Sequence, residues 1–221
     1  MAESSVWRII VPIKDRTTSK TRLRTPAGVP HAHLALAIAL DTLAAVYEVV
    51  SPALVFVVTD DDEVTSFVAA AGGSFVHDPG RGLNPAIAAG ITAATPNELP
   101  PGRISAPGAV LLGDLPSLTP EELIAGLRIC AVAESSVVPD HDGSGTVLLT
   151  HHDLRQIIPR FGAGSAARHA RAARTMTPAL PRLRTDVDTE SSLAQAVALG
   201  VGKHTAAVLS SAVLDNAGSV G

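Results

Sequence analysis

Cysteine is almost missing from this 221-residue sequence, and aromatic side chains are scarce: one Cys, one Trp, one Tyr and four Phe. A lone Cys130 cannot close an internal disulfide, which argues against a disulfide-stapled extracellular scaffold. Its neighbours Ile129 and Ala131 predict a buried thiol rather than a reactive one. No uninterrupted apolar run approaches the roughly 20 residues that span a bilayer, and no basic segment leads into an apolar stretch at the N-terminus. A cytoplasmic location without a membrane partner is therefore expected. Positive charge is also short, 17 Lys and Arg against 21 Asp and Glu for a net −4. That balance disfavours nucleic acid as a partner, while leaving room for a local basic cluster that takes one small anion. The eight histidines form no H-x-x-x-H or H-E-x-x-H pattern, so a zinc site is not expected.

What is present is a 46% hydrophobic chain long enough to bury about 70% of the surface its unfolded form exposes. Short apolar runs alternate with stretches of helical spacing. Residues 7–13 read as a strand running into a basic loop, 34–50 as a helix and 54–58 as a strand. Residues 64–71 then read as a helix and 74–77 as a strand, and Asn84-Pro85 as N-cap and first residue of another helix. Residues 109–112 follow as a strand, and Thr119-Pro120-Glu121-Glu122 spells a capping box for a helix toward Cys130. Residues 136–138 and 146–149 flank a turn-rich hexapeptide, 183–187 read as a last strand and 192–199 as a last helix. The tail beyond Lys203, roughly the last 15 residues above all, is expected to fray or pack weakly. This alternation implies one α/β domain over 1–221, with a mostly parallel central sheet covered by helices on both faces. Ligands in such sheets bind beyond the carboxyl ends of the strands, where the basic loop, Asn84, Asp114 and Asp186 all fall.

Three constellations carry chemistry. Lys14, Lys20 and Arg22 belong to a loop of cations and hydroxyls that suits a triphosphate, or else is a solvated surface loop. It lacks the glycines of a P-loop. Asp114 follows a strand, and Asp186 and Asp188 alternate about Val187, so that both point the same way. Three carboxylates at one sheet edge repel by about 4 kcal/mol per pair at roughly 4 Å and an effective dielectric of about 20, unless a cation separates them. Oxygen-only ligands favour Mg²⁺ or Mn²⁺. Asp114 alone reads equally well as a turn residue. Finally, Gly162-Ala163-Gly164-Ser165 runs into a helix bearing Arg168 and His169, with Ser165 as N-cap. It is either a site for a phosphate or carboxylate, or an ordinary turn before a surface helix.

Together these segments resemble the guanylyltransferases of deazaflavin coenzyme F420 biosynthesis, over nearly the whole chain. The carriers are Val11-Pro12-Ile13-Lys14 with Ser19-Lys20-Thr21-Arg22-Leu23, Gly82-Leu83-Asn84-Pro85-Ala86 and Leu112-Gly113-Asp114-Leu115-Pro116. To these are added Gly145-Thr146, Arg160-Phe161-Gly162 with Ser165 and Arg168-His169, and Thr185-Asp186-Val187-Asp188-Thr189. The resemblance implies a nucleotidyltransferase fold, GT-A-like and Rossmann-like, and Mg²⁺-dependent transfer of GMP from GTP to phosphoenolpyruvate, or alternatively to 2-phospho-L-lactate. Asp114, Asp186 and Asp188 would hold the metal, and Thr146, Gly162, Ser165 and Arg168 the phosphorylated acid. Lys14, Lys20 and Arg22 would grip the GTP phosphates and assist the departing pyrophosphate, with Asn84 near the nucleoside. The transferase that consumes the product is a further expected partner. The glycine-rich loop of sugar pyrophosphorylases is absent after the first strand. Two other readings remain at this level: a molybdenum-cofactor or sugar-phosphate nucleotidyltransferase, and a nucleotide-binding module without catalysis.

Overall fold

Strand β1 (Arg8–Pro12) sets the layering, because its residues alternate between two cores: Ile9 and Val11 enter one, Ile10 the other. The computed structural model describes residues 7–14, 23–97 and 106–218, the side chains of 212–218 excepted. The expected cations Lys20 and Arg22 lie outside the described residues, as does most of the Pro/Gly-rich connection at 96–108.

After β1 come helix α1 (His31–Val49), β2 (Val55–Val58), α2 (Asp62–Ala70), β3 (Ser74–Val76) and α3 (Leu83–Ala94). Then follow β4 (Gly108–Leu111), α4 (Pro120–Cys130), β5 (Ser135–Pro139) and β6 (Thr146–His151). The last elements are α5 (Ser165–His169), β7 (Arg174–Thr175), α6 (Pro181–Arg184), α7 (Glu190–Leu199) and α8 (Lys203–Gly218). The sheet order is β3-β2-β1-β4-β6-β5-β7, and β6 alone runs against the others. Leu43 of α1, Val64 and Val68 of α2 and Leu123 and Leu127 of α4 cover one face; Ala86, Ile87 and Ile91 of α3 cover the other. Gly90 lets α3 lie this close, since a Cβ there would meet the Ile10 and Val58 methyls at 2.5 and 2.7 Å. The chain leaves β1 toward β2 on one side and takes β4 on the other, so a crevice opens between the ends of β1 and β4. By length and hydropathy α1 resembles a membrane-crossing helix, yet 56% of that stretch is buried within the fold, as for a core helix. Cys130 is fully buried, which pushes its thiol up to about 11.

The structure corrects four local expectations. Residues 183–187 are not a strand. Pro181 starts one helical turn, α6, whose Leu183 N–H donates to Glu122 Oε2 at 2.9 Å. Glu122 is thereby drawn away from the second half of the capping box, while Thr119 still accepts its N–H. Helix α3 begins at Leu83 after Gly82 at φ 96°, so Asn84 lies inside the helix and is not its cap. Ser165 is the first residue of α5, with left-handed Gly164 before it. The chain from Lys203 forms α8, whose His204 and Thr205 N–H groups donate to buried Asp41 of α1 at 2.9 and 2.8 Å.

Candidate active site

The crevice between β1 and β4 is a cleft of about 460 Å³. Its floor is made by the two strand exits. Ile13 N–H donates to Val58 O, Leu112 N–H to Val147 O, and exposed Lys14 stands at the rim. A Cβ on Gly113 would meet Ile13 Cγ1 at 2.6 Å and Pro12 O at 3.1 Å, so only glycine lets the β4 exit lie against β1 and present Asp114. The next peptide is pinned by α1, where Thr42 Oγ1 accepts the Leu115 N–H at 3.0 Å. Val187 N–H then donates to Asp114 O at 3.0 Å, and buried Val187 anchors the segment in an apolar cluster with Leu34, Ile38 and Leu193. Asp186 and Asp188 thus flank a residue bonded to Asp114.

As a result, Asp114, Asp186 and Asp188 each offer a carboxylate oxygen within 4.8 Å of the others. Arg184 brings in a fourth carboxylate by donating to Pro139 O and Asp140 O at 3.0 and 2.8 Å, which holds Asp140 beside the trio. Burial first, then the charges of Asp114, Asp140 and Asp188, push the Asp186 carboxyl up to about 8. A site that forces a proton onto a carboxylate at neutral pH is one that a divalent cation fits: the ion takes the proton's place with oxygen ligands only.

The opposite wall is built from backbone. Asp140 accepts from Ser144 and Gly145 N–H at 2.9 and 2.6 Å, which folds the 140–145 turn, and Ser144 O accepts the Ala166 N–H. The loop 160–164 is held by three side chains. Asn84 bonds both backbone groups of Phe161, at 3.1 and 2.7 Å; Arg160 N–H donates to His169 Nε2 at 2.9 Å; and Arg168 donates to the carbonyls of Arg160 and Ala163. With those carbonyls taken, no acceptor is found among the described residues for the N–H groups of Gly162, Ala163 and Gly164. Gly162 and Ala163 line the cleft with Thr146 and Ser165. Such a run of N–H groups is a receptor for an anion.

Of the residues expected from sequence, Lys14, Asp114, Thr146, Gly162, Ser165, Asp186 and Asp188 line this cleft. Asn84 and Arg168 do not; their side chains are committed to the loop that does. Two residues were missed. Asp140 opens the turn-rich Asp-His-Asp-Gly-Ser-Gly segment, whose aspartate start was the signal for a turn that presents N–H groups. His169 meets the site only through its pairing with Thr146, 23 positions away.

A family model described as "Guanylyl transferase CofC like" matches residues 7–217. A phosphoenolpyruvate guanylyltransferase of Geodermatophilus obscurus is 45% identical over 96% of this chain and 98% of its own. One from Salinispora arenicola is 40% identical over 92% of this chain and 93% of its own. Among solved structures, a nucleotide-diphospho-sugar transferase-like protein from Desulfovibrio desulfuricans G20 shares the fold, with TM-score 0.57 and 15% identity over 86% of this chain and 95% of its own.

Proposed function

The chain belongs to the CofC-like guanylyltransferases and is a nucleotidyltransferase of coenzyme F420 biosynthesis, and from that premise we propose that its cleft joins GMP from GTP to phosphoenolpyruvate. The observation that carries this reading is the opposition of a three-carboxylate cluster and an N–H-lined loop across one cleft. A nucleoside triphosphate needs a cation to offset its charge, which the first would hold, and a small phosphorylated acid needs the second. Phosphoenolpyruvate is preferred over 2-phospho-L-lactate because the relatives at 45% and 40% identity carry that name.

Asp114, Asp186 and Asp188 would hold Mg²⁺ or Mn²⁺, which when bound would polarise the phosphate oxygens at the reacting phosphorus. Thr146, Ser165 and the N–H groups of Gly162 and Ala163 would orient the acceptor. A phosphate oxygen of the acceptor forms the new P–O bond at the α-phosphorus of GTP as the α–β bridge breaks, and pyrophosphate leaves in line. Lys14, with Lys20 and Arg22 of the basic loop, would take up the charge on the leaving group. No base is needed, because a phosphate monoester with a second pKa of about 6 is already largely the dianion at neutral pH. The product is a diphosphate that carries the acid in activated form, suited to direct delivery to the transferase that consumes it.

The test is pyrophosphate release from GTP and Mg²⁺ with each acid in parallel, the product trapped by the consuming transferase and weighed by mass spectrometry. Turnover with phosphoenolpyruvate alone supports the reading. Turnover with 2-phospho-L-lactate alone reassigns the acceptor, and turnover with neither sends the search to sugar-phosphate or molybdenum-cofactor acceptors. GTP binding without pyrophosphate release from any acceptor leaves a binding module.

A further inference from the structure

We propose that His169 is a positioning residue for this reaction: with its single ring proton on Nδ1, it turns the Thr146 hydroxyl so that the threonine's own hydrogen donates into the cleft, toward the anionic acceptor. The inference rests on the acceptor lying against the Thr146 wall, as proposed above.

The direction of the bonds follows from donor and acceptor inventories. His169 is buried, with Nε2 2.9 Å from the Arg160 backbone nitrogen and Nδ1 2.9 Å from Thr146 Oγ1. A backbone N–H can only donate, so Nε2 must present its lone pair. A neutral imidazole then carries its one hydrogen on Nδ1, and Thr146 Oγ1 must accept it. Were Thr146 to donate instead, Nε2 would carry the hydrogen and face the Arg160 N–H, two donors at 2.9 Å with nothing between them. Burial, followed by the charges of Arg168 and Arg160, lowers the ring's pKa to about 4, which keeps it neutral. Phe161 packs on the ring at 4.8 Å between centroids and is itself fixed by Asn84, so the imidazole has little room to turn. One lone pair of Oγ1 is occupied, and its hydrogen is left for a ligand on the cleft side, which Thr146 lines. A hydroxyl whose hydrogen is directed into the cleft favours an anion over a ligand donor at the same position.

Two side chains split the imidazole's functions. His169→Gln places an acceptor near the Nε2 position for Arg160 and loses the donor to Thr146; His169→Asn places a donor near the Nδ1 position and loses the acceptor. For folded His169→Gln we expect the KM for the acceptor acid to rise about tenfold or more, with the KM for GTP unchanged. His169→Asn should retain much more of the acceptor affinity. Thr146→Val should match His169→Gln, and the double variant should be no worse than either single one. Wild-type acceptor KM in His169→Gln, or fully additive losses in the double variant, would overturn the proposal. A readout independent of turnover is the ring ¹⁵N spectrum of the wild-type protein, expected to show the neutral Nδ1–H tautomer near neutral pH. The Nε2–H form or an imidazolium refutes the proposal even if the enzyme is active. The Nδ1–H form in a protein that turns over neither acid would instead fault the acceptor assignment.

Discussion

Asn84 closes both backbone groups of Phe161, its Nδ2 donating to the Phe161 carbonyl at 3.1 Å and its Oδ1 accepting the Phe161 N–H at 2.7 Å. The bond pairs α3 with the loop proposed to face the acceptor, and it uses the whole amide of a residue for which the family resemblance suggested the nucleoside. Asn84→Asp retains only the accepting half and sets a carboxylate oxygen against a carbonyl. It should cost about 1–3 kcal/mol in urea unfolding and raise the KM for the acceptor, while GTP affinity stays within about twofold, a change below 0.5 kcal/mol. A variant that lost GTP affinity alone would put Asn84 on the nucleotide instead.

Asp186 gives a stability prediction opposite in sign to its proposed role in activity. Its carboxyl is raised from 3.8 to about 8, so the metal-free folded protein holds a proton that the unfolded chain releases. Folding stability from this group is therefore complete below 3.8 and lost as pH rises toward about 8. Without metal, Asp186→Asn should unfold at a higher temperature than the wild type, by a margin that grows with pH across this window. Millimolar Mg²⁺ should raise the wild-type Tm and leave the variant's unchanged, and turnover in the variant should fall by about two orders of magnitude or more. Calorimetry with and without chelator, at pH values spanning the window, checks both halves.

The layered α/β architecture was legible because β1 and β2 are short β-branched runs, β4 is a short apolar one, and α1 and α3 have helical spacing, all local signals. The carboxylate cluster was legible in part: Asp114 follows buried β4 into the crevice, whereas Asp186 and Asp188 come beside it through the Val187–Asp114 backbone bond and not through the strand expected over 183–187. Elsewhere a distant partner outranked the local pattern. Leu183, Thr185 and Val187 alternate as in a strand, but the Glu122 carboxylate, 61 positions away, holds Leu183 in a helical turn. Asn84-Pro85 has the form of a helix start, yet the amide is claimed by Phe161, 77 positions on. The anchor of the start of α8, Asp41, lies 163 positions earlier and gives no local signal.

That anchor reaches the active site through packing. Asp41 is buried and accepts both the His204 and Thr205 N–H groups, and Gly202 lies so close to the carboxyl that no side chain fits there. Val208 and Leu209 of α8 pack on the cluster containing Val187, the residue between two of the proposed metal ligands. Asp41→Ala should cost about 2 kcal/mol and speed hydrogen exchange across 203–218. The Mg²⁺ concentration needed for half-maximal turnover should rise several-fold, while turnover at saturating Mg²⁺ stays near wild type. Exchange that quickened with no change in metal requirement would mean that α8 does not support the 186–188 segment.

His169 provides a separate acid-side test, since its ring pKa falls from 6.5 to about 4 on folding. The unfolded chain takes up a proton on this ring below 6.5 that the folded chain refuses until about 4. The stability this group contributes is thus complete above 6.5, declines through the interval and is gone below 4, with a slope of at most about 1.4 kcal/mol per pH unit. Carboxylates titrate across the lower part of the same range in wild type and variant alike, so the difference between them isolates the histidine. His169→Gln carries no titrating ring; the stability gap between wild type and variant should be widest near neutrality and narrow steadily as the pH is lowered. Urea unfolding at half-unit steps measures that gap. A gap that stayed constant from 6.5 to 4 would show that the folded protein protonates this ring as readily as the unfolded chain, and the neutral ring that orients Thr146 would go with it.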